Sequence, residues 1–407
     1  MAEDTRQRRE PHLLERAAPD ASIVIPAYNS ATQLRQALAS LVRSQFDNFE
    51  VIVVDDGSTD DTREVARAAG ARVIDMPSRV GPAAARNAGA NMARARYVLF
   101  LDADVCVTDQ TIGQLVRTLD EQPSLAAVFG SYDDAPAAAN LTSQYRNLVH
   151  HFVHQTSSPL ACTFWAGCGA VRRSVFLQLR GFDETYRRPC VEDIEFGTRM
   201  RKAGFRILLD RDIQVTHLKQ WHLWTILITD IFSRSLPWTR LILRERAIPN
   251  DLNLRTSQRA SAVLALMLLL VAVMFAIEHP WVLLLLVAGV LALVALDAWS
   301  VSRRVPDLVR VIGVAFAAGG IYAGLRSSPQ LTSIALTILF ILAILNASFY
   351  LFFARRRHPL FALTVLPLHV LFLWYSTLAF GFGVAAHLFE MLRSRWWRGS
   401  GEISRQV

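Results

Sequence analysis

The sequence predicts an α/β domain with a mostly parallel sheet, followed by an all-α, multi-span membrane region. Three observations predict it. From Ala21 to Leu218, strand-like apolar runs alternate with helix-like stretches, the order that builds an open α/β sheet. Three of those runs end on polar or acidic residues at what would be one sheet edge, and open α/β sheets bind their ligands beyond the carboxyl ends of the strands. From Ala260 to about Leu392 the chain turns to long apolar runs.

Met1 to Asp20 is polar and charged, without the apolar segment of a signal peptide. It reads as a disordered tail that leaves the α/β half in the cytoplasm. Ser22-Ile-Val-Ile-Pro-Ala-Tyr-Asn29 reads as a short buried strand and a turn. Ala31 to Ser44 carries Leu34, Leu38, Leu41 and Val42 at helical spacing. Phe49 to Asp56 is an apolar strand ending on two acids, with Gly57 for the turn and Ser58 or Thr59 to cap a helix that ends near Gly70. Arg72 to Met76 is a third strand, and Pro82 suits the first turn of a helix reaching Arg96.

Tyr97-Val-Leu-Phe-Leu-Asp-Ala-Asp-Val105 follows, and the rest is arranged around it. Its apolar run suits a strand buried on both faces. Asp102 and Asp104 then share a side, because residues two apart on a strand do. Two such carboxylates repel unless a cation lies between them, and hard oxygen ligands select Mg²⁺ or Mn²⁺. An acidic surface turn is the competing reading. Beyond it, Thr108 to Leu119 is helical, Ala126 to Tyr132 a strand and Leu141 to His154 a helix. Val191-Glu-Asp-Ile-Glu195 opens a helix through Lys202, and Asp212 to Leu218 is the last strand.

Several classes are excluded. A dinucleotide site needs G-x-G-x-x-G after the first strand; this chain has Pro-Ala-Tyr-Asn there, and it has no Walker-type loop. The four Cys show no zinc spacing and read as free thiols. The net charge of +8 comes with Arg clusters beside the apolar runs, which suits an anionic membrane surface rather than nucleic acid.

Pro26-Ala-Tyr-Asn29, Val53-Val-Asp-Asp-Gly-Ser-Thr-Asp60, Gly81 with Ala85-Arg-Asn-Ala-Gly89, and Asp102-Ala-Asp104 resemble, in order, the motifs of family 2 glycosyltransferases. The resemblance covers about Ala21 to Leu218. It implies the GT-A nucleotide-sugar-binding fold and inverting transfer from a nucleotide sugar, usually a UDP-sugar, with Mg²⁺ or Mn²⁺. Carried over by position, Pro26 and Tyr28 border the base and Asp55 or Asp56 bonds a ring nitrogen; a carboxylate suits a uracil N–H because it only accepts. Arg86 approaches the base or diphosphate, against a reading as a solvated helix residue, and Asn87 fixes the local turn. Asp102 lies at the donor and the metal, with Asp104 as the more direct metal ligand. Thr163 to Arg173 and Gly181 to Glu184 resemble the acceptor-side segment: Gly167 and Gly169 let backbone approach a sugar, and Trp165 stacks on a sugar or sits in the core. In the Glu192-Asp193 pair, Asp193 is the general base and Glu192 the second candidate, although both also suit a helix N-terminus. His217 resembles a further metal or diphosphate ligand, or is a structural histidine. A metal reading of His150, His151 and His154 finds no carboxylate partner in the sequence.

Trp221 to Arg246 reads as an amphipathic interfacial connector, running to about residue 255, with Pro237 kinking or splitting it. Arg234 and Trp238 are similar to the end of the Gln-X-X-Arg-Trp motif of processive synthases, whose full form is absent. Apolar segments follow at Ser261–Ile277, Trp281–Ala298, Leu308–Leu325, Leu331–Phe353 and Phe361–Leu388, before a basic tail from residue 393. Read as four or five spans of about 20 residues each, they leave Arg303-Arg304 and Arg355-Arg-Arg357 on the cytoplasmic side. Pro367 and the Gly381/Gly383 pair offer bends in the last one. The whole reads as a membrane-bound glycosyltransferase of the inner membrane, its catalytic domain facing the cytoplasm. It would take a nucleotide-sugar donor and a lipid or lipid-linked glycan acceptor. A processive polysaccharide synthase and a non-catalytic membrane scaffold are the alternatives.

Overall fold

The computed structural model describes residues 19–246, 255–281 and 318–403, with side chains to residue 393. The described residues fall into two compact units. One comprises those of Met1–Ala137 and Val153–Lys219, the other those of Ala138–Phe152 and Gln220–Val407. The stretch Ala21–Leu218 is therefore not one contiguous unit, because Ala138–Phe152 belongs to the second.

The first unit is an eight-stranded mixed sheet in the order β3-β2-β1-β4-β7-β6-β8-β5. Its strands are β1 (Ala21–Ala27), β2 (Phe49–Asp55), β3 (Arg72–Asp75), β4 (Tyr97–Leu101), β5 (Val105–Cys106), β6 (Leu125–Tyr132), β7 (Cys168–Arg172) and β8 (Arg206–His217). The pairs β3–β2, β2–β1, β1–β4 and β6–β8 are parallel, while β7 runs antiparallel between β4 and β6. Parallel β1, β2 and β4 all end at one edge, with Ala27 beside Asp55 and Val24 beside Phe100.

Strict alternation along these strands makes two cores. Ile23, Ile25, Leu99 and Leu101 face one of them, with Leu34, Leu38 and Leu41 of α1 (Ala31–Val42), Val65 of α2 (Thr62–Ala68) and Ile112 and Leu115 of α4 (Thr111–Glu121). Val24, Val98 and Phe100 face the other, with the small residues of α3 (Pro82–Met92), Phe176 of α6 (Arg173–Gln178) and Phe196 and Met200 of α7 (Glu192–Lys202). Helices thus cover both faces, which is why these strands read as unbroken apolar runs. Phe100, Phe176, Phe182 and Phe196 meet with ring centroids 5.0–5.4 Å apart, and this cluster seats α7 beneath β4.

Most predicted elements stand, with shifted ends. The third helix stops at Met92 rather than Arg96, because Glu50 accepts the Arg94 backbone N–H and Ser22 Oγ the Ala95 N–H. The last strand begins six residues early, at Arg206. The two-residue β5 and the short β7 carry no pattern that announces a strand.

The second unit contains α5 (Leu141–Thr156) as far as Phe152. The connector is α8 (Leu223–Ile228), a π-helical turn (Thr229–Ser235) and α9 (Leu236–Glu245). Pro237 sits in the first turn of α9, so the split falls at the π-helical turn before it. Among the described residues two helices are long and apolar enough to cross a membrane, Thr256–Glu278 and the Pro359–Arg393 part of a helix that runs to Ile403. The expected span Leu331–Phe353 is instead two helices, Pro329–Leu345 and Ala347–Arg356, bent by 70° at Asn346. The Asn346 amide donates to Ser261 Oγ and to the Leu342 carbonyl, a polar junction where an unbroken apolar helix was expected. The final segment continues through Pro367 and both glycines as one helix. The N-terminal tail to residue 18, the connector's end at 247–254, and residues 282–317 lie outside the described residues. The last of these stretches holds most of the second and third apolar segments, with Arg303-Arg304.

Gly197 measures how closely α7 is held. A Cβ there would lie 2.2 Å from the Phe164 backbone nitrogen. Gly197→Ala must push α7 off its seat, and we expect a stability loss of about 1–3 kcal/mol. Thermal melting of the detergent-solubilised protein measures it, and an unchanged melting temperature would contradict this packing.

Candidate active site

At the ends of β1 and β2, Pro26 is half-buried within its strand and Tyr28 is 37% exposed just beyond it. The Arg79 guanidinium lies over the Tyr28 ring, 3.9 Å from its centroid. Asp55 is fully buried; its Oδ2 accepts from the Ser58 N–H at 3.1 Å and Arg63 Nε at 2.7 Å. Its Oδ1 is buried with no partner among the described residues. Asp56 is different: its two oxygens accept the backbone N–H groups of Val80 and Gly81 at 2.7 and 2.9 Å. Asp56 thus fixes the turn that carries Arg79, and of the two acids only Asp55 keeps an open acceptor oxygen.

Arg86 projects from α3 into the interior and is 5% exposed, so it is not a solvated helix residue. Its Nη1 donates to Glu192 Oε1 at 2.8 Å and its Nη2 to Asp102 Oδ1 at 2.7 Å. Burial works against its charge, yet Asp102 and Glu192 outweigh that and raise its pKa. Its Nε finds no partner among the described residues. Asn87 does not brace a local turn. Its amide bonds the N–H and carbonyl of Phe182 and the Glu184 carboxylate, about 95 residues on, and so fixes the Gly181–Glu184 loop.

Beyond β4 the two aspartates part company. Asp102 is tied to Arg86, while Asp104 Oδ2 stands 3.4 Å from His217 Nε2. Burial raises the Asp102 pKa and the Asp104 charge adds to it, against Arg86. Burial also opposes ionisation of Asp104, but the His217 hydrogen bond and charge offset it and its pKa is lowered. His217 stacks on Tyr132 with centroids 4.4 Å apart and planes 13° apart. It reaches Asp104 because β5 pairs with β8, Val105 opposite His217.

Glu192 and Asp193 open α7. Both oxygens of Glu192 are held, one by Arg86 and one by the Cys190 N–H at 2.9 Å. Asp193 accepts the Ala166 N–H at 3.1 Å and the Ile194 N–H at 2.8 Å. Burial, and next the Glu192 charge, push its carboxyl up to about 7. Trp165 meets Tyr132 edge-on at 4.8 Å and His154 at 5.2 Å. A Cβ at Gly167 would lie 2.5 Å from the Trp165 ring, and one at Gly169 would lie 2.5 Å from the Trp165 carbonyl. These glycines therefore make room for Trp165, which is a sufficient reason for both without a sugar.

Arg86, Asp102 and Glu192 form one contact group, Asp104, His217 and Tyr132 another, and Asp193 joins α7 to the Ala166 backbone beside Trp165. Arg79 and Tyr132 were missed. Neither belongs to a motif, and only the folded turn and the β6–β8 pairing bring them to the site. The three histidines of α5 do not converge: His150 lies 3.1 Å from Arg234, His151 stacks on Phe352, and His154 meets Trp165.

Residues 22–180 match the family model described as glycosyl transferase family 2. That stretch is a family 2 glycosyltransferase domain. An uncharacterized glycosyltransferase of Haemophilus influenzae is 33% identical over 123 residues, covering 28% of this chain and 47% of that protein. Validoxylamine A glucosyltransferase of Streptomyces hygroscopicus subsp. jinggangensis is 29% identical over 231 residues, covering 48% of this chain and 54% of that protein. The chain spans about half the length of these curated relatives. Among solved structures, the mannosyltransferase PcManGT of Pyrobaculum calidifontis, in complex with GDP-Man and Mn²⁺, aligns with 81% of this chain and 88% of its own at 18% identity and TM-score 0.48. The mixed sheet with helices on both faces is the GT-A architecture.

Arg86→Met would leave the Glu192 and Asp102 carboxylates without their cation. We expect a loss of about 3–5 kcal/mol, the scale for breaking a buried pair by removing one partner. The Asp102 carboxyl, already raised by burial, would lose the cation that opposes that rise. The deficit should therefore be full at neutral pH and shrink as pH falls toward the ordinary carboxylate range. Melting curves at about pH 5 and pH 8 check this, and equal deficits at both would contradict it.

Proposed function

We propose that this protein transfers a sugar, with inversion, from a nucleotide sugar, most simply a UDP-sugar, to a lipid or lipid-linked acceptor at the cytoplasmic face of a membrane. The observation that carries the reading is the convergence of Arg86, Asp102, Glu192 and Asp193 at the carboxyl end of β4 and the start of α7, within a family 2 domain. Two helices long and apolar enough to cross a membrane support the membrane placement.

The donor's base would lie against Tyr28, with Asp55 Oδ1 as the acceptor for a ring N–H. Arg79, now on the Tyr28 face, would have to shift or stack with the base. Asp102 and Asp104 with His217 have the donor chemistry for Mg²⁺ or, with an imidazole in the set, Mn²⁺. No group of three or more His, Cys, Asp or Glu among the described residues is gathered tightly enough to hold an ion alone. This fits a metal that takes its remaining ligands from substrate phosphates. When bound, such an ion would balance the charge of the leaving diphosphate. The acceptor hydroxyl gives its proton to the Asp193 carboxylate as its oxygen bonds the anomeric carbon and the bond to the diphosphate breaks. A base with a pKa of about 7 is matched to that task near neutral pH. Glu192, with both oxygens held, positions Arg86 and contributes to the raised pKa of Asp193.

Membranes carrying the protein, supplied with a panel of nucleotide sugars and read by mass spectrometry of their lipids, test the activity. Absence of any glycosylated lipid across the panel would overturn the acceptor class. Asp104→Asn should remove most metal-dependent turnover while the fold stands. Asp193→Asn should leave nucleotide binding within a few-fold and lower turnover by at least about 10²-fold.

The base works as the carboxylate, so wild-type turnover should rise with pH through about 7 and Asp193→Asn should lose that limb. The raised pKa also means that the ionised group costs stability above the ordinary carboxylate range, fully so above about pH 7. Asp193→Asn should then melt no lower than wild type at pH 8. A lower melting temperature would give Asp193 a structural role instead.

A further inference from the structure

The second unit buries a charged cluster that the chemistry above does not use. At its centre is Asp230, 2% exposed, in the first turn of the π-helical segment Thr229–Ser235. One oxygen accepts from Arg146 Nη2 of α5 at 2.5 Å, and the other from the Tyr375 hydroxyl of the last helix at 2.6 Å. Arg234, at the end of the same π-helical segment, has Nη1 3.5 Å from the first oxygen and 3.1 Å from His150 Nε2.

Two guanidiniums thus face one carboxylate, and among the described residues neither has a second acidic partner. The cluster carries one positive charge too many for its own balance. Arg146 is 4% exposed, and its Nε is buried with no partner among the described residues. A buried donor without an acceptor is unfavourable, and a cation in excess of its acids attracts an anion. Arg234 is the accessible member, with a third of its side chain exposed. π-Helical turns of this kind frequently mark functional sites.

The surroundings specify the kind of anion. Trp224, Ile228 and Phe232 recur every fourth residue along the same stretch and are 69%, 43% and 64% exposed. Large apolar side chains in a row beside arginines suit a segment lying in a membrane interface. The unit also contains both helices long and apolar enough to span. An anion met there is carried on a lipid, and the planar donor fork of Arg matches a phosphate. We propose that Arg146 and Arg234, held in place by Asp230 and Tyr375, bind the phosphate headgroup of a lipid. The proposal rests on the lipid-acceptor reading for that ligand's role, but not for its binding.

The test uses the full-length protein in a neutral detergent, titrated with farnesyl phosphate, farnesol, phosphatidylglycerol and inorganic phosphate. At least one of the two lipid phosphates should bind saturably, and farnesol and inorganic phosphate far more weakly. The tighter of the two lipids identifies a monophosphate or a phosphodiester headgroup as the source. Arg234→Gln should weaken the lipid phosphate by about 10- to 100-fold, the scale of one charge-assisted hydrogen bond, and leave nucleotide binding unchanged. The double variant Arg146→Gln/Asp230→Asn removes both buried charges together and should abolish lipid-phosphate binding without unfolding the chain. Binding unchanged in Arg234→Gln, or farnesol as tight as farnesyl phosphate, would overturn the site. Inorganic phosphate as tight as the lipids would overturn its lipid character. If lipid phosphate binds as described but no sugar reaches any lipid, the acceptor reading fails and the site stands.

Discussion

The site depends on one buried guanidinium. Arg86 leaves a helix made almost entirely of small residues and bonds two carboxylates from segments far apart in sequence, Asp102 after β4 and Glu192 at the start of α7. Glu192, buried at 4% exposure, would be strongly unfavourable without that cation. Together with Arg86 the two carboxylates lock the carboxyl edge of the sheet to the helix that presents Asp193. The small residues matter to this arrangement: a Cβ at Gly89 would lie 2.4 Å from a Val24 methyl, so α3 lies against β1 closely enough for Arg86 to reach inward.

The same tie explains how four neighbouring acids come to differ. Arg86 neutralises Glu192 and one oxygen of Asp102, while His217 offsets the burial of Asp104. Asp193 receives only backbone N–H groups and feels the Glu192 charge, so it is the acid driven toward neutral pH. Environment, rather than residue type, makes these acids differ. The raised pKa costs the fold something, and the Phe cluster beneath α7 supplies stabilisation on the other side.

In the second unit two of the buried polar groups sit at helix breaks. Asn346 marks the 70° bend, and Asp230 sits in the π-helical turn. Charged groups within an apolar bundle are costly and are retained where a function needs them. The Asp230 cluster has that character, tying α5, the connector and the last helix while its cation count exceeds its acids by one.

The sequence by itself determined the α/β alternation, the strands ending on acids and the apolar C-terminal half, because each is a local pattern: period two, period 3.6, or a long apolar run. It also placed every candidate acid at the correct end of its element. It left Asp55 against Asp56, and Asp193 against Glu192, as adjacent pairs of identical or similar chemistry. The tertiary structure gives the members of each pair different partners, because those partners, the Val80 and Gly81 amides, Arg86 and the Cys190 amide, are set by loop closure and helix seating rather than by sequence neighbours. The break at Asn346 and the Arg146–Asp230–Tyr375 contact were likewise invisible. A hydropathy pattern records how apolar a stretch is, and it does not record which distant polar group a single buried Asn or Asp will meet.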